Sequence, residues 1–309
     1  MKTKQAKTLP GKRENIVRTI WSQRSSWMML APYLALFIFT TAIPALISIV
    51  LSFFHYNMFQ DPVFAGLSNF VNLFLNDSVF ITSLSNTLVY AVITGLGGYL
   101  LSFAVAWIIN DLPNKLRAFV TLVFYAPSIS GAATAVFGIL FSPDGNGYIN
   151  AWLMKLGIIS DPIMWFQDPE LALGMVILVQ LWLSLGVGFL SFVAGLKNVD
   201  RTLYESASLD GVRNRFQELW YITLPCMRPM LLFGAVTQIT SAFSGGVLVT
   251  QLCGNPSVDY SAHTLLLHAS DYAGTRLEMG YAAASSLVLF ALITFSYKFC
   301  TLLLNRVGK

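Results

Sequence analysis

The sequence predicts an all-α integral membrane protein with six transmembrane helices and both termini in the cytoplasm. Three observations predict it. The 309-residue chain is 55% hydrophobic and only 11% charged, against about 25% charged residues in soluble domains. It contains six apolar stretches, each near the roughly 20 residues that a spanning helix needs. Its Lys and Arg residues fall almost entirely on one side of those stretches, as cytoplasmic loops require.

The first 26 residues form a basic tail with Lys2, Lys4, Lys7, Lys12, Arg13, Arg18 and Arg24. No small-residue cleavage site follows a short apolar core, so no removable signal peptide is expected. Ile16, Val17, Ile20 and Trp21 recur at helical spacing, which suggests a short helix on the inner surface or else a basic tail without fixed structure. Residues 27–309 form the membrane body. Its spans are Trp27–Phe54, Leu84–Ile109, Leu116–Phe141, Leu171–Ala194, Pro229–Leu252 and Met279–Leu304. Pro32, Pro44, Pro127 and several glycines lie inside spans, which membrane helices tolerate where neighbours cover the freed backbone groups. Small residues such as Gly186, Gly188, Gly245 and Gly246 allow close helix approach.

With the N-terminus inside, 17 of the 19 Lys and Arg residues are cytoplasmic, and only Lys155 and Arg276 lie outside. The 15 acids divide 6 inside and 9 outside, so the inner side nets +11 and the outer side −7. The outer connections run to about 28 residues each. In the third-to-fourth connection, Gly147 to Gly157 reads as a short amphipathic helix, and Trp152, Trp165 and Phe166 read as interfacial anchors. His55, His263 and His268 fall in outer loops or at span ends and are expected to be solvated or interfacial.

The polar stretch YESASLDGVRNRFQELWYITLP, Tyr204 to Pro225, stands between two apolar runs. Asp200 can cap a helix starting at Arg201, and Asp210–Gly211 breaks it, since glycine tolerates the left-handed conformation that ends helices. A second helix places Phe216, Leu219, Trp220 and Thr223 on one face. Pro225 and Pro229 are expected to end it and return the chain to the membrane. Residues 200–225 thus form a cytoplasmic helix–turn–helix hairpin, and an amphipathic helix of this kind suits a partner's groove.

Glu205-Ser206-Ala207, three residues, Gly211, then Ile222-Thr223-Leu224-Pro225 resembles the cytoplasmic loop signature of ABC importer permeases. The Asp210-Gly211 pair and the Leu-Tyr before Glu205 are most similar to the carbohydrate (maltose-type, binding-protein-dependent) branch. GLSNFVNL at 66–73, NTLVYAV at 86–92, GYINAWLMKLG at 147–157 and MGYAAASSLVLF at 279–290 agree with it. The chain departs from the signature twice. Ser206 replaces an Ala, and ten residues rather than nine separate Gly211 from Ile222, which turns a continuous helix by about 100° unless it is absorbed.

The resemblance implies a type I ABC importer permease fold whose hairpin is a coupling helix, docking on an ATPase through Glu205, Ser206, Ala207, Asp210 and Gly211, with Leu224 and Pro225 at the hinge. The alternative is that Glu205 only pairs with Arg201 or Arg213 to hold the hairpin. The resemblance further implies a second, non-identical permease subunit, two cytoplasmic ATPase subunits that carry ATP and Mg, and an extracytoplasmic substrate-binding protein in a bacterial-type cell membrane. This chain lacks the Gly-x4-Gly-Lys-Ser/Thr phosphate loop and is not expected to be the motor, to be an enzyme, to hold a cofactor or metal, or to bind nucleic acid. No buried His/Asp/Glu cluster is legible, which disfavours a proton-coupled carrier.

Polar residues within spans are the places to look for a substrate path. The fourth span offers Gln180, Trp182 and Ser184. The fifth offers Thr237, Gln238, Thr240, Ser241, Phe243 and Ser244, with Gln238, Ser241 and Ser244 or Phe243 on one face by helical spacing. The alternative is polar glue between helices. Tyr281, Ser285 and Ser286 of the sixth span are weaker candidates. The expected cargo is a carbohydrate, an oligosaccharide or modified sugar. Rivals are a glycerol-phosphate or polyol importer, an ATP-independent carrier or channel, and a non-transporting scaffold or sensor.

Overall fold

The computed structural model describes residues 24–304. The short N-terminal helix considered above, and the last basic residues Arg306 and Lys309, lie outside them. The described residues divide into two units, which meet between Val50 and Leu51 in the chain. In the first unit the helix Arg24–Phe37 passes through a π-helical turn, Ile38–Ala42, into Ile43–Leu51. The wide turn lies next to Pro44, which has no N–H to give to the preceding turn.

In the second unit, Ser78–Asn110 and Met279–Leu304 are unbroken spans. The other expected spans are interrupted. Asn114–Ile129 meets Ala133–Leu140 at an 87° bend. Pro127 has removed a hydrogen bond of the last turn, and Ser130 is extended. The fourth span is Ala172–Leu183 and Val187–Asn198, parted by Ser184, Leu185 and Gly186. The fifth is Arg228–Phe243 followed by Gly246–Cys253, parted at Ser244 and Gly245. With Asn114–Ile129 joined to Ala133–Leu140, and Arg215–Cys226 joined to Arg228–Phe243, each pair counted as one span, up to six helices among the described residues are long and apolar enough to cross a membrane.

Within the second unit the long second span packs against several of the other helices. It contacts the fourth span, the fifth span and the outer helix Leu265–Gly274. Toward the side holding the basic loops, Phe189, Phe192, Leu196, Ile222 and Leu231 form one buried cluster with Ala106 and Ile109 of the second span. Phe192 is fully buried between Tyr99 and Phe103, edge to face at ring distances of 5.3 and 5.6 Å.

In the connection between the third and fourth spans, Gly147 caps the expected short helix, Tyr148–Lys155. Asn150 is fully buried inside that loop. Its amide donates to Ser142 O and Ile163 O and accepts from Ile163 N–H and Trp165 Nε1–H. Phe141 packs on both Trp165 and Phe166. Trp165 is therefore half-buried and Phe166 buried in the core; only Trp152 is exposed as an interfacial anchor would be. The histidines also differ from expectation. His55 is exposed, but His263 and His268 are each only 2% exposed.

Candidate functional site

Two sites expected from the sequence are assembled in different parts of the second unit. The first is the hairpin. Asp200 caps Arg201–Leu209 by accepting from Thr202 N–H at 3.0 Å, and that hydrogen bond holds its carboxyl below the usual range. The helix ends in paired reverse hydrogen bonds, Gly211 N–H to Ser208 O and Val212 N–H to Ala207 O. This pattern requires a left-handed residue after the cap, and Gly211 has φ +95°. A Cβ at Gly211 would meet nothing within 4 Å, so backbone conformation alone demands glycine there. Asn214 then caps the next helix by accepting from Phe216 N–H.

That second helix does not run as a plain α-helix. Arg215–Glu218 widens into a π-helical turn, Leu219–Thr223, before Leu224–Cys226. A π turn holds one additional residue in a helix. It overlaps the end of the interval that is one residue longer than the signature the stretch resembles, where one additional residue can be taken up locally. The face changes accordingly. Ile222 and Thr223 are buried, whereas Phe216 and Trp220, expected to share the apolar face, are each 66% exposed. The helix ends at Cys226, between Pro225 and Pro229, and the chain turns there by 82° at Met227; each proline itself sits in a helical first turn.

The hairpin is anchored to the body from both arms. Tyr204 and Thr223 share a hydroxyl hydrogen bond of 2.9 Å. Arg215 pairs with Asp111 and lies 5.0 Å over the Trp107 ring. Tyr204, Ala207 and Leu224 pack on the buried cluster. Glu205, Ser206 and Asp210 are exposed, and Pro225 is half-buried. Among the described residues Glu205 forms no ion pair, neither with Arg201 nor with Arg213.

The second site is a cleft of about 420 Å³ where the breaks of the third and fourth spans face the fifth. Ser128, Ser184, Gly186, Thr237, Gln238 and Ser241 are among the lining residues, and none of the lining residues is charged. Discontinuous helices are tolerated at membrane depth where they line a cavity or find protein partners. Here the freed Ser184 carbonyl accepts from Ser102 Oγ at 3.0 Å and from Gln238 Nε2 at 2.8 Å. Gln238 Nε2 also lies 3.2 Å from Ser102 Oγ. A Cβ on Gly98 would stand 2.8 Å from Ser184 Cβ and 3.3 Å from Gln238 Oε1. The second span must therefore carry glycine for this junction to close.

The structure separates the candidates of the fourth and fifth spans. Ser184, Gln238 and Ser241 meet at the cleft with Thr237 and Thr240. Gln238 is only 5% exposed and is held as a cross-link at its floor. Phe243 is buried in a different cluster with Leu73, Phe80 and Leu265. Gln180 and Trp182 lie outside the cleft lining, Gln180 half-buried and Trp182 exposed beside Phe124. Ser244 is exposed and donates back to Thr240 O. In the sixth span, Ser285 is fully buried and Ser286 exposed.

Tyr281 belongs to a third site that sequence reasoning missed. Asp77 caps the second span by accepting from Phe80 N–H at 2.9 Å. Its other carboxylate oxygen accepts from the Tyr281 and Tyr272 hydroxyls at 2.9 and 3.2 Å and lies 3.4 Å from His268 Nε2. Burial opposes the charge on Asp77, but the hydrogen bonds and His268 outweigh it and hold the carboxyl below its usual value. Burial lowers both histidines, His263 to about 4. Two buried histidines and the partly exposed Asp77 therefore gather at the start of the second span, a grouping the sequence did not reveal. Asp77 and Tyr281 are 204 positions apart, and the only local signal was the capping position of Asp77. Among the described residues no group of three His, Cys, Asp or Glu could hold a metal ion.

Residues 98–309 match the family described as binding-protein-dependent transport system inner membrane component. The chain is 34% identical over 276 residues to the probable ABC transporter permease protein YesP of Bacillus subtilis, covering 87% of this chain and 86% of that one. It is 30% identical over 216 residues to the lactose transport system permease protein LacF of Rhizobium radiobacter, covering 69% and 71%. Its fold matches a chain in the crystal structure of a bacterial ABC transporter involved in the import of the acidic polysaccharide alginate. The TM-score is 0.79 at 22% identity, over 96% of this chain and all of that one.

Proposed function

From the premise that the chain belongs to the family of binding-protein-dependent transport system inner membrane components, we propose that it is the permease subunit of an ATP-driven importer that moves a neutral carbohydrate, an oligosaccharide or modified sugar, into the cytoplasm. It is a multi-pass protein of the bacterial inner membrane. The observation that carries the coupling role is the hairpin. It is braced to the body through Tyr204, Leu224 and Arg215, while Glu205 stays exposed and without an ion pair. A structural role for Glu205 would need a partner inside the chain.

In this reading Glu205, Ser206, Ala207, Asp210 and Gly211 form the contact with a cytoplasmic ATPase that supplies ATP and Mg chemistry. The 82° bend at Met227 passes the displacement into the fifth span. Rocking of two permease subunits about a central site gives alternating access. The partners are a second, non-identical permease, two ATPase subunits and an extracytoplasmic binding protein. The carbohydrate assignment is supported by the lactose-permease relative and by the chemistry of the cleft. Hydroxyls of Ser128, Thr237, Thr240 and Ser241 suit a neutral polyol, and the absence of Lys or Arg from its described lining disfavours a phosphorylated substrate.

The test is purification of the chain from its native membrane in mild detergent, with mass spectrometry of co-purifying proteins. A second permease and an ATPase are expected, and Glu205→Arg should release the ATPase while keeping the second permease. Recovery of the chain alone, under conditions that preserve other transporter complexes, would overturn the reading.

A further inference from the structure

The outer side holds a larger cavity, about 650 Å³ in volume, within the range of about 300–1,000 Å³ common to small-molecule sites. It shares no lining residue with the central cleft. One wall is built by the helix Ser68–Leu75 and its C-cap, where Asn69, Asn72 and Asn76 stand at i, i+3, i+7 and all line the cavity. Another is the Asp77 network, braced by the tilted ring pair Tyr272 and Tyr281 at a ring distance of 4.4 Å.

Two buried polar atoms of the lining lack hydrogen bonds. Asn69 is 1% exposed; its Nδ2 donates to Ser52 O and Phe54 O at 2.9 Å, but its Oδ1 makes no hydrogen bond. His268 is 2% exposed, and its Nε2, 3.4 Å from Asp77 Oδ2, also makes none. Buried polar atoms are ordinarily satisfied, and exceptions call for a cause.

Both atoms lie behind the cavity surface, so the class of ligand is set by the charges that line it. Asp61, Asp77 and Glu278 line the cavity, and Arg276 is the single Lys or Arg among its described lining residues. Arg276 is already engaged: its Nε donates to Asp271 at 3.0 Å, Nη1 donates to the Tyr272 hydroxyl at 3.0 Å, and its guanidinium stacks 4.2 Å over the Tyr272 ring. An anion would meet three carboxylates and no free cation. Side-chain amides both donate and accept, which matches sugar hydroxyls that do the same.

We propose that this outer cavity is a second carbohydrate site, one that binds a neutral glycan end outside the translocation cleft. The inference rests on the carbohydrate-import reading and deepens it. The importer meets its substrate twice, first at the outer face against the asparagine row and then between the broken spans.

The experiment uses the full chain in lipid nanodiscs without binding protein and measures bound sugar by native mass spectrometry. The probes are a neutral oligosaccharide fraction from partially hydrolysed plant cell wall and a uronate-containing fraction of the same size. The neutral fraction is expected to bind. Binding should survive Ser241→Leu, which blocks the cleft, and should fall at least tenfold in the Asn72→Leu/Asn76→Leu double variant. Both asparagines are at least partly exposed, and an unchanged melting temperature shows that the double variant is folded. No binding of the neutral fraction, equal binding by the double variant, or preference for the uronate fraction would overturn the site. ATP-dependent uptake by the assembled complex is measured alongside. Uptake that persists without outer binding removes only this site, whereas loss of ATP-dependent uptake for every sugar removes the importer reading itself.

Discussion

Replacing Gln238 separates the two roles available to a polar side chain in the fifth span. Its Nε2 donates to Ser184 O at 2.8 Å and lies 3.2 Å from Ser102 Oγ, so it ties the fifth span to the second and to the break in the fourth. A hydrogen bond contributes about 1 kcal/mol net, and interhelical bonds within membranes average about 0.6 kcal/mol. Gln238→Leu, which keeps the volume, should therefore cost about 1–2 kcal/mol. Gln238→Ala adds a cavity beside Gly98 and should cost about 2–3 kcal/mol. At about 2–4 °C per kcal/mol, the alanine variant should melt roughly 5–10 °C lower. The assay is thermal unfolding of the purified chain followed by tryptophan fluorescence, with uptake by the assembled complex at equal protein amounts. The Ser102→Ala/Gln238→Leu pair should be non-additive, because one junction is lost in both. An unshifted melting temperature combined with a tenfold higher KM for uptake would refute the reasoning and make Gln238 a substrate contact.

The other predictions concern the cleft, the hairpin and the outer histidines. Ser241→Leu, at an exposed cleft position, should cut uptake at least tenfold and move the melting temperature by less than about 2 °C; normal uptake would remove Ser241 from the path. Gly211→Ala should cost about 1–2 kcal/mol through its positive φ alone, and Gly211→Pro more. Both should leave ATP hydrolysis running while sugar uptake falls, and normal uptake by the proline variant would end the coupling role. Because burial lowers His263 to about 4, its imidazole stays neutral in the folded chain while the unfolded chain protonates near 6.5. Stability should therefore be flat above about pH 6.5 and fall as pH drops toward 4, with His268 acting in the same sense. His263→Phe, which keeps the edge-to-face contact with Tyr260, should flatten that slope in melting curves from pH 7 to 5; an unchanged slope would remove His263 as the source.

What the sequence by itself determined was everything carried by near neighbours or by composition. The apolar runs set the spans, and the uneven Lys and Arg set the orientation expected of them. Asp200 acts on a backbone group two residues away and Gly211 on one three residues away, so the cap of the hairpin's first helix and its turn followed from residue type. The tertiary structure alone decided where spans break and which polar groups meet. Ser184 O is left free by the broken fourth span and satisfied by residues 82 and 54 positions away, which makes Gln238 a tether as well as a cleft-lining residue. The π turn at Leu219–Thr223 moved Phe216 and Trp220 off the buried face, which an unbroken 3.6-residue period cannot foresee. Asp77, His268, Tyr272 and Tyr281 gather only after the last outer helix folds back on the start of the second span. Helical periodicity reports on residues three and four apart; a hydrogen bond across 204 positions depends on packing geometry that no local pattern records.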